Sequence, residues 1–258
     1  MGSAIYRPLI EDMTWSYSRI TCFEDCPYRW FLKYILELQE SPLFYSSYGG
    51  FIHELLEMYL KGRISKEDAK MMFLIEFSNK VTGERPSSRV VTSYIEKGTN
   101  YLENLKPFDL ETVSVEEKCV FDIDGIPFVG YIDYLGKGED GYYIIDHKSR
   151  ELRPRSGRKK PTKNDLIIDE MLKQLYIYSE YVKQHYGEYP KWLCFNCFRN
   201  GQFIKEPFNI DKCNEAKEWA KKEIELIKGS ESEDSHPNVE YFQCKHLCGY
   251  AEQCCYWL

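Results

Sequence analysis

The spacing of apolar residues changes near residue 104 of this chain. Up to about residue 104 they recur at helical intervals. Ser16 or Ser18 can cap a helix that carries Ile20, Phe23, Trp30, Phe31 and Tyr34, and Pro27 inside that run ends one helix or starts another. Gly49-Gly50 reads as a break. The helix after it has Phe51, Leu55, Met58 and Tyr59 on its apolar side, with His53 and Glu57 one turn apart. Residues 66–80 and 88–104 read as two further helices.

Beyond that point the period becomes two. Val113, Val115, Cys119 and Phe121 fall on one face of a strand, and Asp124-Gly125 marks a tight hairpin turn. A second strand covers about Pro127 to Leu135 and a third covers Tyr142 to Ser149. Arg150 to Lys163, with Pro154, Gly157 and Pro161, reads as a loop. A helix from about Asn164 to Gln184, a strand from Trp192 to Phe198 and a helix from Asp211 to Lys228 follow, before a polar linker at 229–238. This order predicts an α/β fold: a mixed central sheet flanked by helices, behind a helical N-terminal part. It fits one domain over 1–258, with a helical insertion at about 62–108.

Composition narrows the picture. Apolar residues make up 43% of the 258 positions and aromatics 16%, enough for a substantial core. No stretch approaches the roughly 20 apolar residues that span a bilayer. The first residues have neither the basic flank and apolar core of a secretory signal nor a Ser or Thr at Tyr6, where myristoylation needs one. A soluble, cytoplasmic protein that binds no membrane is expected. The net charge of −7 argues against a uniformly basic nucleic-acid binder. Yet Lys148, Arg150, Arg153, Arg155, Arg158, Lys159, Lys160 and Lys163 crowd one segment with only Glu151 against them, a local patch able to meet a phosphate backbone.

The residues able to do chemistry cluster on the second and third strands. Asp146 and Lys148 alternate to one face, and His147 to the other. Asp133 sits on the preceding strand, on the face of Val129 and Tyr131. If the strands pair, two carboxylates converge beside an ammonium, a donor set suited to Mg²⁺ or Mn²⁺ next to a phosphate. Glu117 shares the alternation of Val115 and Cys119 and is a weaker candidate to point toward that cation. Gln174 and Tyr178 lie four apart on one helical face.

Taken together, Gly50-x-x-His53, Gly130-x-x-Asp133, Asp146-x-Lys148 and Gln174-x-x-x-Tyr178, in this order, resemble the RecB-like branch of the PD-(D/E)XK nuclease superfamily. Ser18-Arg19-Ile20 through Cys26-Pro27-Tyr28-Arg29 resembles the opening motif of that branch, so the resemblance spans about Ser16 to Cys254. It implies a restriction-endonuclease-like core and a Mg²⁺- or Mn²⁺-dependent deoxyribonuclease. That would be an exonuclease on single-stranded DNA or DNA ends, serving recombination, repair or CRISPR adaptation, with protein partners unspecified. It implies His53, Asp133, Asp146 and the backbone carbonyl of His147 as metal ligands. Lys148 would assist hydrolysis, with Gln174 and Tyr178 positioning DNA or water. The loop residues Arg150, Arg153, Arg155, Arg158, Lys159 and Lys160 would meet phosphates. The alternative is a non-catalytic cysteine-cluster subunit that binds DNA or serves assembly.

The chain has ten cysteines, many for an intracellular protein of this size. Clustering in a reducing compartment suggests metal before disulfide. Cys26, with Cys244-x₃-Cys248-x₅-Cys254, resembles the iron–sulfur type of the family, found in AddB and in CRISPR-adaptation nucleases. There one upstream cysteine and three terminal ones hold a 4Fe–4S cluster, the first terminal gap being two residues rather than three. The resemblance implies a cysteine cluster at 244–255 joining the two ends of the chain. Four thiolates also suit zinc, Cys255 competes with Cys254, and Cys22 is a substitute for Cys26. Cys194 and Cys197 lie three apart on a strand and face opposite sides, so they read as core residues, as do Cys119 and Cys213.

Overall fold

The computed structural model describes residues 3–230 and 237–257. Six helices come first: α1 (Ser3–Glu11), α2 (Tyr17–Asp25), α3 (Pro27–Tyr34), α4 (Phe44–Leu60), α5 (Lys66–Lys80) and α6 (Ser88–Glu103). Then follow β1 (Glu111–Ile123), β2 (Ile126–Gly138), β3 (Gly141–Lys148), α7 (Lys163–Tyr186), β4 (Trp192–Cys197), β5 (Gln202–Pro207), α8 (Ile210–Gly229) and the short α9 (Tyr241–His246). Ser16 caps α2, its side chain accepting from the Arg19 amide. Pro27 divides the first helical run as the sequence indicates. It opens α3 at the first helical position, where its missing N–H costs nothing, and the Cys26 sulfur caps that helix. No described helix is long and apolar enough to cross a membrane.

The five strands form one sheet in the order β1-β2-β3-β4-β5. Every neighbouring pair is antiparallel except β3 and β4, which run parallel because α7 carries the chain back across the sheet. The fold is thus a mixed sheet flanked by helices, as expected. Strand β5 carries no apolar alternation, Ile204 being its one buried residue, and α1 lies before the first cap signal; neither was legible in the sequence.

The main core packs one face of the sheet against α2, α3, α7 and α8 through Trp30, Phe128, Ile144, Leu175, Phe195 and Ala220, among others. Helices α4, α5 and α6 build a second core from Phe44, Tyr48, Ile52, Leu55, Phe73 and Leu102, to which Phe198 reaches from the end of β4. A small third cluster of Tyr134, Ile145 and Cys194 lies on the other face of the sheet.

Two sequence expectations fail here, each for a physical reason. Gly49 and Gly50 do not break a helix but lie inside α4. A Cβ on Gly50 would meet nothing within 4 Å and one on Gly49 only Ser149, so their bareness opens space beside the helix rather than ending it. On β1 the alternation does not hold. Val113 packs on the main core with Cys119 and Phe121, whereas Val115 packs on the opposite cluster. The register shifts between Thr112 and Ser114, and Glu116 adopts φ 53°, in the left-handed region that costs a residue with a Cβ. Strand β2 shows the same break, since Ile132 and Leu135, three apart, both face the main core.

Candidate active site

The β2–β3 ladder stops at Tyr134 and Ile145. Beyond it the Asp133 carboxylate takes the place of a backbone acceptor, and the His147 N–H donates to Asp133 Oδ2 at 2.7 Å. Strand β3 meanwhile continues its pairing with β4 through Lys148 and Cys197. The strands therefore separate where the two carboxylates lie, and an open cleft of about 640 Å³ forms between the sheet end and α4. It is lined by His53, Glu57, Glu116, Asp133, Asp146, Lys148 and Gln174.

Alternation on β3 sends the side chains where the sequence places them. Asp146 and Lys148 face α7, with Lys148 Nζ 2.7 Å from Asp146 Oδ2. Lys148 also donates to Gln174 Oε1 at 2.9 Å, and Gln174 Nε2 donates to the Tyr178 hydroxyl at 3.3 Å. A chain of polar contacts thus runs from β3 to the middle of α7. His147 turns to the other face, where its ring stacks on Phe108 and Nδ1 pairs with Asn196 Nδ2 at 2.9 Å. Complete burial holds its imidazole well below the usual range, hence neutral.

Gly130 explains the spacing of its motif. A Cβ there would lie 2.4 Å from Tyr178 Cε1, so only a bare backbone lets the tyrosine ring lie against β2. Replacing Gly130 by Ala displaces that ring and is expected to destabilise the fold by about 1–3 kcal/mol, as overpacking does, and to loosen Gln174 from Lys148. Denaturant unfolding checks the first effect; an unchanged midpoint would contradict it.

His53 projects from α4 into the cleft. Its Nε2 lies 3.0 Å from the His147 carbonyl oxygen, and its Nδ1 lies 3.6 Å from Asp133 Oδ2 and 4.0 Å from Glu116 Oε1. Burial lowers its pKa. Asp133 is pushed well above the usual carboxylate range, chiefly by burial and then by the neighbouring charge of Asp146. Burial, then Glu57, raises Glu116 in the same direction. Like charges at this density fit a site completed by a cation. A ligand atom each from His53, Glu116 and Asp133 lies within 4.8 Å of the others. The oxygen-rich set with one imidazole fits a hard divalent ion such as Mg²⁺ or Mn²⁺.

The structure therefore brings together His53, Asp133, Asp146, Lys148, Gln174 and Tyr178. It does not bring Glu117 to the cleft. That carboxylate takes hydrogen bonds from the Tyr181 hydroxyl at 2.9 Å, the Tyr186 hydroxyl at 3.2 Å and Ser114 Oγ at 2.6 Å, and so fastens α7 to β1. Its neighbour Glu116 occupies the cleft instead, because the left-handed backbone there breaks the alternation that the sequence reading assumed. No sequence signal announces a Glu in that conformation.

The basic loop is anchored. The Thr162–Asp165 capping box starts α7, and the same Asp165 carboxylate accepts from the amide and hydroxyl of Ser156, bonds that hold it well below its ordinary range. Asn164 bonds both backbone groups of Arg153. Arg155 is held by Asp169 and Glu206 at 2.8 and 2.7 Å, which ties it inside the protein rather than toward a phosphate. Arg150, Arg153, Arg158, Lys159 and Lys160 are exposed on the segment that leaves β3.

At the far side, Cys26, Cys244, Cys248 and Cys254 line one small cavity with Leu32, Val239, Tyr250 and Trp257. Backbone and side-chain bonds hold the ends of the chain there, from Ser41 to Gly249, Tyr250 to Leu38 and Asn238 to Asp25. Cys255 does not line the cavity; its thiol lies at the Tyr28 hydroxyl. Cys22 is buried in the main core. Cys119, Cys194 and Cys213 are core thiols pushed up to about 12 by burial, and Cys197 to about 11.

A sheet whose strands part over two acids, an ammonium and an imidazole, with a basic loop leaving the same strand, offers the groups that metal-assisted phosphodiester hydrolysis uses. The chain belongs to the PD-(D/E)XK nuclease superfamily, whose sequence profile matches residues 14–255. No curated protein matches it. Among solved structures, a protein named "Putative exonuclease" from Eubacterium rectale shares the fold. Its TM-score is 0.54 and its identity 13%, over 98% of this chain and 90% of that one.

Proposed function

We propose that this protein is a Mg²⁺- or Mn²⁺-dependent deoxyribonuclease of the RecB-like branch, an exonuclease acting on single-stranded DNA or on DNA ends. The observation that carries the reading is the meeting of His53, Asp133, Asp146 and Lys148 in one cleft. His53, Asp133 and Asp146 would hold the cation, with the His147 carbonyl beside them. When bound, the cation supplies Lewis-acid polarisation of the phosphate and lowers the pKa of water. Lys148, held between Asp146 and Gln174, donates to the attacking water or to a phosphate oxygen and offsets phosphate charge. Gln174 and Tyr178 fix the lysine, and the His147 N–H fixes Asp133. The exposed residues Arg150, Arg153, Arg158, Lys159 and Lys160 would meet phosphates, which would make binding salt-dependent.

The four cysteines at the joined ends would hold a 4Fe–4S cluster in a structural role. The donor chemistry fits, and Cys254 rather than Cys255 lines the cavity. Tetrahedral zinc with bonds of about 2.3 Å would draw the sulfurs to about 3.8 Å from one another. Iron, sulfide and zinc content of the purified protein separates the two centres.

Digestion of end-labelled DNA, single- and double-stranded, linear and circular, tests the enzymatic reading. Linear single strands should be degraded from an end with Mg²⁺ or Mn²⁺ and remain intact with EDTA. Cleavage of circular DNA would overturn the exonuclease assignment, and no cleavage under any condition would overturn the nuclease.

A further inference from the structure

The β1–β2 hairpin runs on past the point where β3 leaves it. Its strands stay paired out to Ile123 and Ile126, whereas the β2–β3 ladder ends at Tyr134. One face of this extension is buried, with Cys119, Phe121, Phe128 and Ile132 packed into the main core. The ribbon is fastened on three sides. Both backbone groups of Asp122 bond the Gln184 side chain on α7, and Lys221 of α8 donates to Asp124 at the turn at 2.7 Å. The Trp15 backbone bonds Pro127 and Val129 along the edge of β2 that β3 leaves free. The other face is uncovered. It carries two cross-strand pairs, Lys118 with Tyr131 and Val120 with Val129. Val120 is 66% and Tyr131 53% exposed, and Lys118 is exposed beside them. Burial alternates regularly from Phe128 to Asp133, so Asp133 shares the face of Tyr131, roughly 7 Å further along the strand. Asp133 lines the cleft, and the uncovered face therefore runs up to its mouth.

We infer that Tyr131 and Lys118 form a platform for an unpaired DNA strand at the mouth of the cleft, the Tyr131 ring stacking on the base beside the phosphate in the cleft and Lys118 meeting a neighbouring phosphate. This deepens the nuclease reading and rests on it. An aromatic ring and an ammonium side by side match the two repeating parts of a single strand, the base with its flat face and the charged backbone. Val120 and Val129 extend the apolar floor under the same strand. A base inside a duplex has both faces covered by its neighbours and reaches such a ring only after unstacking, which costs free energy. The platform thus selects unpaired strands with no reading of sequence, since every base has a face to stack. Because the hairpin is fastened to α7, α8 and the Trp15 segment, the ring is held at a fixed distance from the acids rather than carried on a mobile flap.

The test is fluorescence anisotropy of two labelled probes on the full chain in Ca²⁺, with the probes checked intact on a gel: a single-stranded oligonucleotide, and the same backbone without bases. Tyr131→Ala should bind the base-bearing strand about tenfold or more weakly than wild type, as loss of one stack does, and the abasic strand equally well. Tyr131→Phe keeps the ring and should bind both as wild type does. Lys118→Ala should weaken binding of both probes and reduce the slope of log affinity against log salt by about one, which keeps the test informative if Tyr131→Ala folds poorly. Equal affinity of Tyr131→Ala and wild type for the base-bearing strand, with wild-type cleavage intact, overturns the inference and leaves the nuclease reading standing. A loss equal on both probes overturns the stacking, and an unchanged salt slope in Lys118→Ala overturns the phosphate contact. Wild-type protein that neither binds nor cuts DNA overturns both readings.

Discussion

Asp146→Asn should lower DNA cleavage by about 10³-fold or more, because on the proposed reading its carboxylate serves the reaction rather than the fold. Its carboxylate is 4% exposed and lies in the cleft with Lys148 as ion-pair partner. The Asp146 charge is also one of the reasons that the Asp133 carboxyl is pushed up. Removing it relieves a like-charge contact, so the metal-free variant should unfold at the wild-type temperature or above it. Loss of activity together with retained stability is the signature of a functional carboxylate. Lys148→Ala should lose activity to a similar extent. It leaves the buried Asp146 carboxylate uncompensated and should destabilise the fold by about 1–3 kcal/mol as well. Cleavage within tenfold of wild type in the folded Asp146→Asn protein would refute the role given to that residue.

The second large effect lies at the other end of the molecule. On the proposed cluster, Cys248→Ser should strip the bound iron and lower the unfolding temperature steeply. The four cysteines join positions from 26 to 254, so a bound centre closes a loop of more than 200 residues. Treated as a cross-link, that closure contributes roughly 5 kcal/mol, an upper-end value. For a chain of this size it corresponds to a fall of about 10–20 °C. Iron and sulfide should vanish together with the brown absorbance. Cys255→Ser, whose thiol lies outside the cavity, should change neither colour nor unfolding temperature. Wild-type protein that binds zinc and no iron would replace the cluster with a zinc site. An unchanged unfolding temperature in Cys248→Ser would remove the staple altogether.

Much of the fold was legible because local pattern and tertiary demand agree. The apolar spacing of α5, α6, α7 and α8 matches the face that each buries, β3 keeps its alternation, and Asp124-Gly125 makes the β1–β2 turn. The candidate site was legible where alternation stays regular, on β3, and where helical spacing is intact, at Gln174 and Tyr178. It was not legible on β1. There a register shift and a left-handed Glu116 exchange the faces of neighbouring residues, so that Glu117 fastens α7 while Glu116 enters the cleft. Glycine misled for a related reason. Its removal of a side chain serves a turn at Gly125, contact with Tyr178 at Gly130 and an open cleft wall at Gly50, and sequence alone does not separate the three. The basic segment reads as a loop and is one, but its anchoring by Asn164, Asp165, Asp169 and Glu206 has no sequence signal.

The most direct test of the account is a crystal of the protein soaked in Mn²⁺, with anomalous scattering recorded to locate the ion. The account predicts a peak in the cleft within bonding distance of the carboxylates of Asp133 and Asp146 and of the His53 ring. A peak elsewhere with this cleft empty, or carboxylates that stay apart at saturating Mn²⁺, would contradict it.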